Sequence, residues 1–224
     1  MTYVKLQNIE IDLGGNKIHY PFHIHFNEPC FCAIVGNNGV GKTTLLKAMA
    51  GMVPYTGVLI LSSIPAYLQQ QQFVHFDFTV LELLLMGRYS KKKFPQYYDA
   101  NDLRHVKTNA QLTQIEHLFH KKINSLSGGE QQLVWITQVL IQEAEIILLD
   151  EPTHSLDLYN RKKVFEIMQH LVSAGKIVFC ATHDIINLHE MKGYILNLSS
   201  VHEGVRTLNA EEVLKCKKIL ESGS

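Results

Sequence analysis

The run Gly36-Asn37-Asn38-Gly39-Val40-Gly41-Lys42-Thr43-Thr44 has the composition and spacing of a phosphate cradle. Its glycines let the backbone curl until successive N–H groups point at one anion, and the positive end of a following helix adds to that field. Lys42 can reach the β- and γ-phosphates of a nucleotide, and the Thr43 hydroxyl can ligate Mg²⁺. Thr44 assists at the helix start. Without an anion, a lysine at a helix N-terminus is poorly placed. Nucleotide chemistry also needs carboxylates, and Ile146 to Glu151, "IILLDE", supplies two at the end of an apolar run. Asp150 would complete the Mg²⁺ shell, and Glu151 would polarise the attacking water. His183 follows "IVFCAT" and could hydrogen-bond a γ-phosphate from the same sheet edge. A second phosphate-type turn stands at Leu126 to Glu130, "LSGGE", where Ser127 offers a hydroxyl at a helix start.

The elements that must carry these groups follow from periodicity. "CFCAIV", 30–35, is almost wholly apolar between Pro29 and Gly36, as a strand covered on both faces requires. Residues 42–51 form a helix closed by Gly51, so strand, glycine turn and helix come in the order that a P-loop demands. Residues 2–26 read as strands with a turn at Gly14-Gly15-Asn16, and 57–68 return to strand character before a glutamine tract. Thr79 and Glu82 form a capping box for 80–87, and Ser127 and Glu130 form one for the helix that contains "QQLVWITQVLIQ". Between them the chain turns polar and basic, with helix over 108–119. Further along, 145–150 is a strand, 158–173 a helix ending near Gly175, and 176–182 a strand. Two short strands and a helix fill 194–220. The expected fold class is α/β: a P-loop NTPase with a mainly parallel central sheet, an N-terminal antiparallel β region and an inserted helical subdomain at about 73–140, all within one domain spanning 1–224.

Composition narrows the partners. The chain has 224 residues, with Lys plus Arg at 21 and Asp plus Glu at 21, so no net charge favours nucleic acid. The basic runs Lys91–Lys93 and Lys121–Lys122 read as solvated surface. Cys30, Cys32, Cys180 and Cys216 lack metal-site spacing and fit buried thiols in a reducing compartment. No secretory signal or membrane span is visible, which places the protein in the cytoplasm.

With these motifs in order, the chain resembles the nucleotide-binding subunit of ATP-binding-cassette (ABC) transporters along essentially its whole length. Gly36–Thr43 matches the family's Walker A motif, Gln70 in "AYLQQ" its Q-loop, Leu126–Glu130 its signature and Ile146–Glu151 its Walker B. Ser155-Leu156-Asp157 matches the D-loop, and His183 the switch histidine. The resemblance implies ATP and Mg²⁺ as ligands. Glu151, His183 and Gln70 would serve hydrolysis, and Thr43, Gln70 and Asp150 would serve the metal. It further implies a head-to-tail pair of identical subunits, in which Ser127, Gly128, Gly129 and Asp157 of one copy complete the ATP site held by Lys42 of the other.

The segment "TVLELLLMGRYS" and the tail "VHEGVRTLNAEEVL" are similar to those of ATPases serving iron-siderophore, haem and vitamin B12 permeases. A membrane permease and an extracytoplasmic substrate-binding protein are the implied partners, with the chain on the cytoplasmic membrane face. An exporter or lipid-release ATPase, or a soluble assembly or regulatory ATPase, would use the same motifs. Two departures stand out. Leu13 occupies the place of an adenine-stacking aromatic, with Tyr3 and Tyr20 as possible substitutes, and Leu133 stands where the family places arginine.

Overall fold

In the computed structural model, residues 1–70, 72, 77–89 and 97–222 are described; Gln71, the basic run Lys91–Lys93, Ser90 and the end of the tail lie outside the described residues. The described chain divides into two compact units, one formed by Met1–Gln70, Ala144–Pro152 and Val164–Ser224, the other by Gln71–Glu143 and Thr153–Lys163.

The first unit holds both sheets. β1 (Val4–Asp12), β2 (Lys17–Phe26) and β4 (Thr56–Leu61) form an antiparallel sheet in the order β2-β1-β4. β1 and β2 close through the expected Gly14-Gly15 turn, with Asp12 opposite Lys17. Their inner residues alternate as a half-covered sheet requires: Val4, Leu6, Ile9 and Ile11 are buried, as are Tyr20, Phe22, Ile24 and Phe26. A bulge at Asn8, which takes φ 47°, shifts the register between Gln7 and Ile9.

The larger sheet runs β5 (Ala66–Leu68), β6 (Ile146–Asp150), β7 (Ile177–Ala181), β3 (Cys30–Val35), β8 (Tyr194–Asn197), β9 (Val205–Thr207). Only the β8–β9 pairing is antiparallel. Every residue of β3, β6 and β7 is buried, which explains their continuous apolar sequence. α1 (Lys42–Met49) buries Leu45, Leu46, Ala48 and Met49 in a core shared with the inner faces of both sheets. α5 (Leu158–Ser173), α6 (Ile185–Leu188) and α7 (Ala210–Ser222) complete the helices of the C-terminal half.

The second unit is built on α2 (Val80–Met86), α3 (Ala100–Thr113) and α4 (Gly128–Ile141). Both expected capping boxes are present: the Thr79 and Ser127 hydroxyls each accept from the N–H three residues on, and Glu82 and Glu130 accept from the cap N–H groups. Arg88 is buried and joins three elements, donating to Asp102 of α3 at 3.2 Å, to Glu143 at 2.7 Å and to the Ile141 carbonyl at 3.2 Å.

Two expectations need correction. The strand character over 57–68 belongs to β4 and β5, which lie in different sheets and are separated by Ser62–Pro65. The helix placed at 108–119 begins at Ala100, because Asp99 and Asp102 form a third capping box, and it ends at Thr113, where Gln114 takes the left-handed conformation.

Candidate functional site

A cleft of about 170 Å³ in the first unit is lined by Asn38, Gly39, Gly41, Lys42, Thr43, Thr44, Gln70, Glu151 and His183. The topology brings them together because β3, β6 and β7 are parallel neighbours whose C-terminal ends all meet one edge. Lys42, Glu151 and His183 lie just beyond those ends, and Gln70 follows the end of β5.

The loop from Gly36 to Gly41 leads directly into α1. Gly41 takes φ 106°, and a Cβ there would collide with the Tyr20 hydroxyl, so both the backbone conformation and the space favour glycine. Tyr20 donates to the Gly41 carbonyl at 2.8 Å. Its ring is 1% exposed, which removes it as a substitute for the adenine-stacking aromatic. Leu13 and Tyr3 are both exposed. The ammonium of Lys42 is drawn back into the loop, donating to the carbonyls of Gly36 at 2.8 Å and Asn37 at 3.2 Å. Burial lowers its pKa, while Glu151 and Asp150 oppose the shift. Asn37 and Val40 do not line the cleft; the Asn37 Oδ1 is buried without a hydrogen-bond partner, and Val40 packs on the core.

Asp150 is fully buried. Burial raises its pKa, opposed by the hydroxyls of Thr43 and Tyr67 and by Lys42. The Tyr67 hydroxyl donates to Oδ2 at 3.4 Å, and Oδ1 has no hydrogen-bond partner. A buried carboxylate oxygen left open beside Thr43 and a lysine suits a divalent cation and a polyphosphate. Thr43, Gln70 and Asp150 therefore fit Mg²⁺, as hard oxygen donors.

Glu151 sits at φ 50°, an uncommon conformation for a residue with a side chain, in the turn that leaves β6. Its N–H donates to the Ala181 carbonyl of β7 at 2.9 Å. Burial raises its carboxyl to about 7, with the His183 N–H and Lys42 pulling down and Asp150 and Asp184 pushing up. His183 meets it twice: its backbone N–H donates to Oε2 at 3.3 Å, and its Nε2 lies 3.3 Å from Oε1. Burial and Lys42 lower the imidazole pKa, which favours the neutral ring.

The remaining candidates belong to the second unit. Ser127 caps α4, and its hydroxyl donates to Glu130 at 2.8 Å. Gly128 and Gly129 open the helix, and Ser155 packs on them so closely that a Cβ at Gly129 would be 3.1 Å from its carbonyl oxygen. Asp157 accepts from the Asn160 N–H at 2.8 Å at the start of α5. Leu133 is buried in α4, a position where a charge would need a partner. Sequence reasoning missed Tyr67 and the anchoring role of Tyr20. The even spacing of Tyr20 with Phe22, Ile24 and Phe26 marks its ring as buried.

A glycine-rich loop between a central strand and a helix, with a strand-end carboxylate pair beside it, defines a P-loop nucleotide-binding protein. The family profile for the ABC transporter matches residues 21–154. The manganese transport system ATP-binding protein MntB of Halalkalibacterium halodurans is 32% identical over 207 residues, 88% of this chain and 82% of the relative. The high-affinity zinc uptake system ATP-binding protein ZnuC of Bacillus subtilis is 33% identical over 217 residues, 91% of this chain and 94% of the relative. Among solved structures, a chain described as belonging to a metal-chelate type ABC transporter in an inward-facing conformation superposes with a TM-score of 0.82 at 24% identity, covering 99% of this chain and 90% of that one. The chain belongs to the ABC transporter family and is an ATPase of that family.

Proposed function

We propose that this chain is the ATP-hydrolysing subunit of a metal importer, working as a head-to-tail pair beneath a membrane permease at the cytoplasmic face, with an extracytoplasmic substrate-binding protein delivering the cargo. The observation that carries the chemistry is the gathering of Lys42, Thr43, Gln70, Glu151 and His183 around one cleft, with Asp150 buried and open-ended. Loop N–H groups and Lys42 hold the β- and γ-phosphates, and Thr43, Gln70 and Asp150 would hold Mg²⁺, which would supply positive charge to the phosphate oxygens. Glu151 takes a proton from the water that attacks the γ-phosphorus as the bond to ADP breaks, and His183 orients that carboxylate through two contacts. Ser127, Gly128 and Gly129 of the second copy, with its Asp157, close the site, so that hydrolysis opens what ATP binding shuts.

For the cargo, the manganese and zinc systems support a divalent transition-metal ion or a simple chelate. Among the described residues no helix is long and apolar enough to cross a membrane, and the proposed role assigns the crossing to the permease. Affinity capture from native membranes, paired with uptake of radiolabelled manganese and zinc in cells carrying Glu151→Gln, tests this reading. A retained partner with many membrane spans and lost metal uptake are expected. Retention of ribosomal or other non-membrane partners alone, or unchanged metal uptake, would overturn it.

A further inference from the structure

Lys42 is held by a carbonyl, and that carbonyl is held by something outside the phosphate-binding motif. The Gly36 oxygen that accepts from Lys42 Nζ at 2.8 Å belongs to the same peptide unit as the Asn37 N–H, which donates to the hydroxyl of Ser199 at 2.9 Å. A peptide unit is planar, so fixing the direction of its N–H fixes the direction of its C=O. Ser199 follows β8 in a short helical turn, and its own N–H donates at 2.9 Å to Oδ1 of Asn197. Asn197 is buried and lies opposite Val35, the residue that precedes the loop. Ser199 is also pressed against the loop: a Cβ on Gly36, at φ 148°, would meet the Ser199 hydroxyl at 3.2 Å and its backbone nitrogen at 3.3 Å.

We propose that Ser199 is a positioning residue for ATP binding: braced by Asn197, it orients the Gly36–Asn37 peptide and through it sets where the Lys42 ammonium waits for the phosphates. Without the hydroxyl, the Asn37 N–H loses its acceptor, the peptide is free to rotate, and the ammonium no longer starts from one place. The inference rests on the assignment of Lys42 to the phosphates.

Steady-state ATPase measurements and binding of a fluorescent ATP analogue on the full chain test it, using Ser199→Ala and the shape-matched pair Ser199→Thr and Ser199→Val. Thr keeps a hydroxyl and Val does not. Loss of one hydrogen bond predicts that Ala and Val raise KM and the analogue's Kd by about three- to tenfold, with kcat changed less than about twofold. Thr should stay near the wild-type values, and the melting temperature without nucleotide should be the same for Thr and Val. Equal behaviour of Thr and Val, or an unaltered KM in the Ala variant, would overturn the proposal. Lys42→Ala run alongside separates the two ideas: if it binds the analogue normally, the assignment of Lys42 itself fails, whereas a defect in Lys42→Ala with a normal Ser199→Ala removes only Ser199.

Discussion

Glu151 carries two demands that pull in opposite directions. A base must be ionised to take a proton, yet the burial that keeps bulk water from it raises its carboxyl from 4.5 to about 7. Below that value the free enzyme holds the carboxyl protonated, so kcat/KM for ATP should rise roughly tenfold between about pH 6 and about pH 8 and then level off. A profile that is flat over that range would remove Glu151 as the group that sets it. The same shift has a stability consequence. The folded pKa lies above the unfolded one, so folding favours the protonated form, and that contribution is lost as pH rises from about 4.5 through about 7. Glu151→Gln, which cannot ionise, should therefore be more stable than wild type by about 3 kcal/mol at about pH 8 and no different near pH 4. Denaturant titrations of both proteins at the two pH values check this; an equal gap at both would mean that ionisation is not the cause.

At the scale of elements, what the sequence made legible follows from how local each signal is. The strands β3, β6 and β7 read correctly because burial on both faces leaves them apolar up to the strand-end Asp150 of β6, and the capping boxes at Thr79 and Ser127 read correctly because a hydroxyl and a carboxylate three residues apart suffice. The start of α3 was obscured because its buried stripe is thin, with Val106 and Ala110 the only apolar residues it fully hides. The separation of β4 from β5 depends on which sheet each joins, a long-range choice with no local mark beyond Pro65. Ser199 has no local mark because its proposed role comes from a contact across 162 residues of chain. Arg88 belongs to the same class. It ties the end of α2 to Asp102 and to Glu143, and its side chain is 10% exposed. Arg88→Met keeps most of the volume and removes the charge, taking from the buried Asp102 carboxylate the cation that faces it. The expected cost is about 3 kcal/mol, read as a lower denaturant midpoint. A cost under about 1 kcal/mol would show that the carboxylates find water or other partners as readily.

For the molecule as a whole, the proposed pairing assigns Ser127 a duty beyond its helix. Within its own chain, the residue caps α4 and exchanges hydrogen bonds with Glu130, whose carboxyl is held below its usual range by the Ser127 N–H and hydroxyl. The N-terminus of the helix that it caps can offer its field to an anion. If that anion is the γ-phosphate on a second copy, ATP should join two chains whenever hydrolysis is prevented. Glu151→Gln is then expected to form an ATP-dependent dimer, seen as a doubling of mass in light scattering and reversed when ATP is removed. Adding Ser127→Arg to the same chain places bulk at the helix start, and should leave ATP bound to a monomer. The two halves of the outcome are separable. A Glu151→Gln chain that binds ATP and stays monomeric would deny the pairing itself, whereas a double variant that still dimerises would keep the pairing and remove Ser127 from its interface. Retained ATP binding in the double variant also reports that the cleft around Lys42 has survived the substitution, so a missing dimer cannot be charged to a damaged nucleotide site.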